Sequence, residues 1–136
     1  MKEKNPSACL MGFCYSYIVK KRWIIGIDEV GRGPLAGPVY VCACAIRADK
    51  IKTIDWRGLT DSKKMTARNR ELWFVNAKEL QSLGVVKYAI GTATARMIDK
   101  KGISRCIRSC IASALGRLTI DPQEASILLD GGLRAP

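Results

Sequence analysis

The chain has 136 residues, 48% of them apolar and 26% charged, which is enough for one packed domain and too few for two. That balance excludes an intrinsically disordered chain. Twenty-three basic against 12 acidic residues leave a net charge of +11, which suits either a polyanionic partner or a merely soluble surface.

Residues 1–20 are expected to lie outside the domain as an N-terminal extension, with Met11 as an alternative start. The apolar run at 8–19 is too short to span a bilayer, and no clear small-residue cleavage site follows it. The domain itself is expected over 21–136.

Strands are expected at 23–28 and 39–46, where β-branched and small apolar residues dominate. A Gly/Pro loop joins them, so they should pair like a hairpin. Residues 47–65 are polar and loop-like. A helix is expected over 66–83, with Leu72, Trp73, Leu80 and Leu83 at helical spacing and Gly84 just past its end. Residues 85–91 form a further expected strand. Ile103, Cys106, Ile107, Cys110, Ile111, Ala114, Leu115 and Leu118 then follow the helical period without a miss. A short buried strand at 126–129 ends in Asp130. The order is that of an α/β domain with a mixed sheet. The chain stops at Pro136, where an α/β layer normally continues with a covering helix, so the front part of a domain is expected.

The six cysteines stand at 9, 14, 42, 44, 106 and 110, and the chain has no histidine. None forms a CxxC pair, so a zinc site is not indicated. Cys42 and Cys44 share one face of a strand, and Cys106 and Cys110 lie one helical turn apart. All are expected to be small buried hydrophobes in a reducing compartment.

Two strands end in acids, the first at Asp28 and Glu29 and the last at Asp130. In open α/β sheets, sites form beyond the carboxyl ends of strands. Three carboxylates held together repel unless a cation joins them. Without histidine or thiolate, such a set favours Mg²⁺ or Mn²⁺. Neighbouring strand residues point to opposite faces, so Asp28 and Glu29 share a site only if the strand bends or bulges there. Gly31, Arg32 and Gly33 follow, a stretch where backbone N–H groups can approach a ligand closely. "DSKK" at 61–64 could cap the next helix and set two lysines near phosphates. Each motif alone has a plain alternative: solvated acids, a tight turn and a capped loop.

Together, "GIDEVGRGPLAGPV", "LTDSKK", "YAIGTATARMIDKKGI" and "ILLDGG" resemble bacterial ribonuclease HII from about Trp23 to Pro136. The resemblance implies a ribonuclease H-like fold, a mixed sheet with flanking helices, incomplete at the C-terminus. It implies a metal-dependent endonuclease acting on the RNA strand of RNA–DNA hybrids. It also implies cutting at ribonucleotides embedded in duplex DNA, with 3′-hydroxyl and 5′-phosphate products. Asp28, Glu29 and Asp130 match three of the four family acids that hold Mn²⁺ or Mg²⁺ and carry catalysis. Gly31, Arg32 and Gly33 match the loop that reads the ribose 2′-hydroxyl, and Ser62 and Lys63 are further substrate-binding candidates. A cytoplasmic monomer without membrane contact is expected.

The fourth acid and a tyrosine that helps at the RNA–DNA junction belong to a part of the family that follows Pro136. The chain also carries Gly132 where the family usually has Asn, and Gly102 where it has a polar helix start. A truncated, non-catalytic nucleic-acid-binding remnant is therefore the competing expectation.

Overall fold

The computed structural model describes residues 21–33 and 36–129. The extension expected over 1–20 and the acid Asp130 lie outside them. Four strands form one mixed sheet: β1 (Trp23–Val30), β2 (Val39–Arg47), β3 (Val86–Ala93) and β4 (Ala125–Leu129), in the order β3-β2-β1-β4. β1 and β2 pair antiparallel, as do β2 and β3, whereas β4 runs parallel to β1. The expected hairpin-like pairing of the first two strands is present. Among the described residues three α-helices complete the order: α1 (Ala67–Ser82), α2 (Ala95–Lys101) and α3 (Ile103–Leu118).

The period-two patterning of β1 and β2 explains the core. Trp23, Ile25 and Ile27 alternate with exposed or half-buried neighbours on β1, and Val39, Val41, Ala43 and Ala45 are fully buried on β2. α3 lies over that face. Its buried residues are Cys106, Ile107, Cys110, Ile111, Ala114 and Leu118, with Ile103 and Leu115 packed at the margin, which is the expected stripe. The helix approaches β3 so closely that a Cβ added at Gly91 would run into the backbone of Cys110. Arg117 of α3 also donates to the Ile90 carbonyl at 3.0 Å, which ties the helix to the edge strand.

Several expectations are corrected. β1 runs on to Val30 in unbroken register with β2, Asp28 beside Cys42, Glu29 beside Val41 and Val30 beside Tyr40. No bulge breaks the strand at the acids. The loop at 47–65 contains a 3₁₀ turn at Ile51–Thr53. The segment after β3 holds a helix, α2, that hydropathy alone did not signal because none of its residues is fully buried and only Ile98 packs against the core. Thr94 caps it by accepting from the Met97 amide. Gly102, at φ +81, both ends α2 and starts α3, a turn that a Cβ would strain. α1 sits where expected and ends at Ser82, with Leu83 as its cap and Gly84 at φ +68, but none of its residues is buried. Leu72, Phe74 and Val75 are exposed, because the helix borders the sheet near β3 rather than lying over the core.

Candidate metal and nucleic-acid site

Asp28 belongs to the alternate set of β1 residues that points away from α3, and it is exposed. Glu29 belongs to the core-facing set, where its side chain keeps only 13% of its exposure. The two acids therefore point to opposite faces, and the bend that would have joined them is absent. The Glu29 carboxylate is engaged by Arg32, Nη1 to Oε1 at 3.3 Å. Asp28 Oδ1 accepts from the Glu29 amide at 2.8 Å, and no cationic side chain among the described residues pairs with Asp28.

β4 supplies the second approach to the site. Its parallel register sets Leu128 beside Gly26 and Leu129 beside Ile27. Leu129 precedes Asp130 as Ile27 precedes Asp28, so in sequence both acids follow directly on paired positions. Among the described residues no three His, Cys, Asp or Glu side chains cluster as a metal site. The donor chemistry nonetheless fits a hard divalent ion: the strand-end residues are carboxylates, and the chain has no histidine.

Beside Asp28, an open hollow of about 330 Å³ is lined by Val30, Tyr40, Cys42 and Ile90 with the two acids. A second hollow of about 520 Å³ runs from Asp28 past Cys42 and Cys44 to Leu128 and Leu129. Tyr40, Cys42 and Ile90 were not anticipated as neighbours of the acid. The alternation of β2 put Tyr40 and Cys42 on one face, but only the pairing of Cys42 with Ile90 of β3 and with Asp28 of β1 brings the three beside the acid. Cys106 and Cys110 are buried as expected, whereas Cys42 is exposed and Cys44 only half-buried. They point away from α3, and no helix among the described residues closes over them. Partial burial raises the Cys42 thiol pKa, and the charge of Asp28 adds to the rise. Burial likewise pushes Cys44 up to about 11, with Cys42 contributing.

The loop after β1 turns at Gly31, whose φ of +97 and contact with the Pro38 carbonyl leave no room for a Cβ. Gly33 has open space where a Cβ would sit, so packing does not require a glycine there. Arg32 is exposed and turned back onto Glu29.

The loop at 61–64 is held from within and from α1. Asp61 accepts from the Lys63 amide through Oδ1 at 3.0 Å and from the Lys64 amide through its carbonyl at 2.8 Å. Arg70 donates to the carbonyls of Ser62 and Met65 at 3.1 and 2.6 Å. The cap of α1 is not this loop, as the sequence suggested, but Thr66, which accepts from the Asn69 amide at 3.2 Å. Ser62 and Lys63 remain exposed on a backbone whose shape is fixed. The anchoring role of Arg70 was missed, since nothing in its spacing marks a side chain that folds back eight residues.

Comparison with known proteins adds the family. The profile of "Ribonuclease HII" matches residues 25–133. A ribonuclease HII of Prochlorococcus marinus is 35% identical over 116 residues, 85% of this chain and 53% of the relative. One from Staphylococcus epidermidis is 41% identical over 99 residues, 73% of this chain and 36% of the relative. One from Nitrosospira multiformis is 39% identical over 109 residues, 80% of this chain and 50% of the relative. The chain thus spans about half or less of the curated relatives it matches. Among solved structures, ribonuclease H2 from Pyrococcus horikoshii superposes with a TM-score of 0.62 at 27% identity, over 77% of this chain and 49% of that one. Bst-RNase HIII in complex with Mn²⁺ superposes with a TM-score of 0.62 at 19% identity, over 98% of this chain and 43% of that one, a likeness of fold.

Proposed function

The chain belongs to the ribonuclease HII family, and from that premise we propose that it acts as a metal-dependent endonuclease. Its substrates are the RNA strand of RNA–DNA hybrids and ribonucleotides embedded in duplex DNA, with 3′-hydroxyl and 5′-phosphate ends left behind. The observation that carries this reading is Asp28, an exposed carboxylate at the end of the central strand, with no cation partner among the described residues and the end of β4 beside it.

Asp28 would hold the ion with Asp130 and Glu29, and Glu29 could do so only if the end of β1 twisted to bring its side chain to the face of Asp28. Mn²⁺ or Mg²⁺ bound there would screen phosphate charge and lower the pKa of water. The Mn²⁺ complex of a fold neighbour supports a divalent ion of this kind. Glu29 can take part only when Arg32 lets go of it, and a phosphate is a competing partner for that guanidinium. The turn at Gly31 and the bare backbone at Gly33 leave room for a ribose, whose 2′-hydroxyl backbone groups can both donate to and accept from. Ser62 and Lys63 hold the phosphate backbone, and the net charge of +11 draws the nucleic acid in. The working form is a cytoplasmic monomer. No described helix is long and apolar enough to cross a membrane.

A second reading, binding without cleavage, is favoured by the Glu29–Arg32 pair, which occupies one of the acids. The test of both is a DNA duplex with one ribonucleotide, incubated with the chain and Mn²⁺ or Mg²⁺. Cleavage on the 5′ side of the ribonucleotide, lost in Asp28→Asn, upholds the endonuclease. Binding that persists with no cleavage in either protein upholds the second reading.

A further inference from the structure

Away from Asp28, the start of α1 and the loop before it enclose a pocket of about 240 Å³. Its lining includes Asp55, Arg57, Asn69, Leu72, Trp73 and Asn76. Asn69, Trp73 and Asn76 follow one another at i, i+4 and i+7, so one face of the helix presents an indole between two amides. The two asparagines are about 10 Å apart along the axis, the span of a nucleobase with its sugar.

The floor is rigid. Trp73 stacks on Trp56 with centroids 6.1 Å apart and planes 12° from parallel. Trp56 is itself fixed, since its Nε1 donates to the Ile51 carbonyl at 2.9 Å. Trp73 Nε1 and the side-chain amides of Asn69 and Asn76 have no hydrogen-bond partner among the described residues. Gly58 leaves the indole edge open: a Cβ there would stand 3.8 Å from Trp73 Nε1. Arg57 is locked on Asp55 by contacts of 2.6 and 2.9 Å, which keeps both at the rim. That pairing holds the Asp55 carboxyl down to about 2, so it stays an acceptor.

An apolar protein segment suits this lining poorly, because most of the pocket wall is amide, carboxylate and guanidinium. An aromatic ring with donors and acceptors on its edge matches each part. The indole takes the ring face, the amides take the edge, and Arg57, whose Nη1 is left over from its pairing with Asp55, meets the phosphate.

We propose that this pocket is a second nucleic-acid subsite that receives an unpaired nucleobase, stacked on Trp73 and read by Asn69 and Asn76. It deepens the nucleic-acid reading above and rests on it: the strand that Asp28 engages would extend past its duplex end into this pocket.

The test is fluorescence anisotropy on the full chain, in EDTA so that nothing is cut. The probes are a blunt RNA–DNA hybrid, the same hybrid with a short single-stranded overhang, and the single strand alone. The overhang is expected to tighten binding about fivefold or more, the worth of one stacked base. Trp73→Leu should erase that advantage. The double variant Asn69→Ala/Asn76→Ala, two exposed changes that do not disturb the core, should reduce it severalfold. An overhang that adds nothing in the wild type, or an advantage that survives both variants, overturns the subsite. If the overhang and the single strand bind through Trp73 but the blunt hybrid neither binds nor is cut with Mn²⁺, the subsite stands and the hybrid-cleaving reading falls.

Discussion

Asp28 and Cys42 sit directly opposite each other across β1 and β2, on the sheet face turned away from α3. The carboxylate raises the pKa of the thiol beside it, adding to the effect of burial. An antiparallel partner of the key acid is thus a reporter of its charge.

Cys42 should therefore alkylate slowly at neutral pH and faster as pH rises. Asp28→Asn removes the negative neighbour and lowers the thiol pKa, so the rate at a fixed alkaline pH should increase. Mass spectrometry of the Cys42 peptide after timed iodoacetamide treatment measures it. An unchanged rate in Asp28→Asn would show that burial alone sets the pKa.

Cys44 makes a prediction for stability. Its folded pKa of about 11 lies above the ordinary 9.0, so folding favours the neutral thiol. That contribution is complete below about 9 and is lost as pH rises toward about 11. The melting temperature should fall through that window, and Cys44→Ala should flatten the fall relative to wild type. Paired pH–Tm curves by circular dichroism measure the difference.

Gly31 and Gly33 should separate structure from function. Gly31→Ala forces a Cβ against the Pro38 carbonyl at positive φ and should cost about 1–2 kcal/mol in urea unfolding. Gly33→Ala meets nothing within 4 Å and should leave stability within about 0.5 kcal/mol. Any loss of preference for a ribonucleotide over a deoxynucleotide in Gly33→Ala then reports on the loop's contact with the sugar.

Gly91→Ala should be more damaging. The added methyl enters the backbone of α3 at Cys110, and a helix cannot yield there as a side-chain tip can. A loss of about 3 kcal/mol or more is expected, at the upper end for overpacking. A midpoint like that of wild type in denaturant would mean that α3 can shift off β3 at little cost.

Lys63→Ala should weaken nucleic-acid binding evenly across sequences. It should lower the slope of log K against log salt by about 1 if the ammonium sits on a phosphate. The exposed Lys78, whose ammonium lies 4.4 Å from the centre of the Phe74 ring, is the control whose loss should leave that slope unchanged.

Much of the fold is legible from local pattern. The i, i+3, i+4 stripe from Ile103 to Leu118 is the buried face of α3, and the alternation from Val39 to Ala45 is the core face of β2. α2 was not legible, because a short helix that sets only Ile98 against the core has no hydrophobic period to show. α1 was found by its spacing, but that spacing does not fix burial: Leu72 and Leu83 recur at helical intervals and are exposed.

The sequence by itself determined the four strands, the two long helices, the strand-end acids and the glycine that the turn at 31 requires. Those follow from side-chain volume, backbone sterics and periodicities of two and 3.6, all of which act within a few residues. Tertiary structure decided which face each group meets. Pairing between strands distant in the chain set Asp28 beside Cys42, and an unbroken register put Glu29 on the other face with Arg32. The packing of α3 over one side alone left Cys42 and Cys44 away from the core. Register and layering depend on contacts between residues far apart in sequence, and no local pattern carries that information.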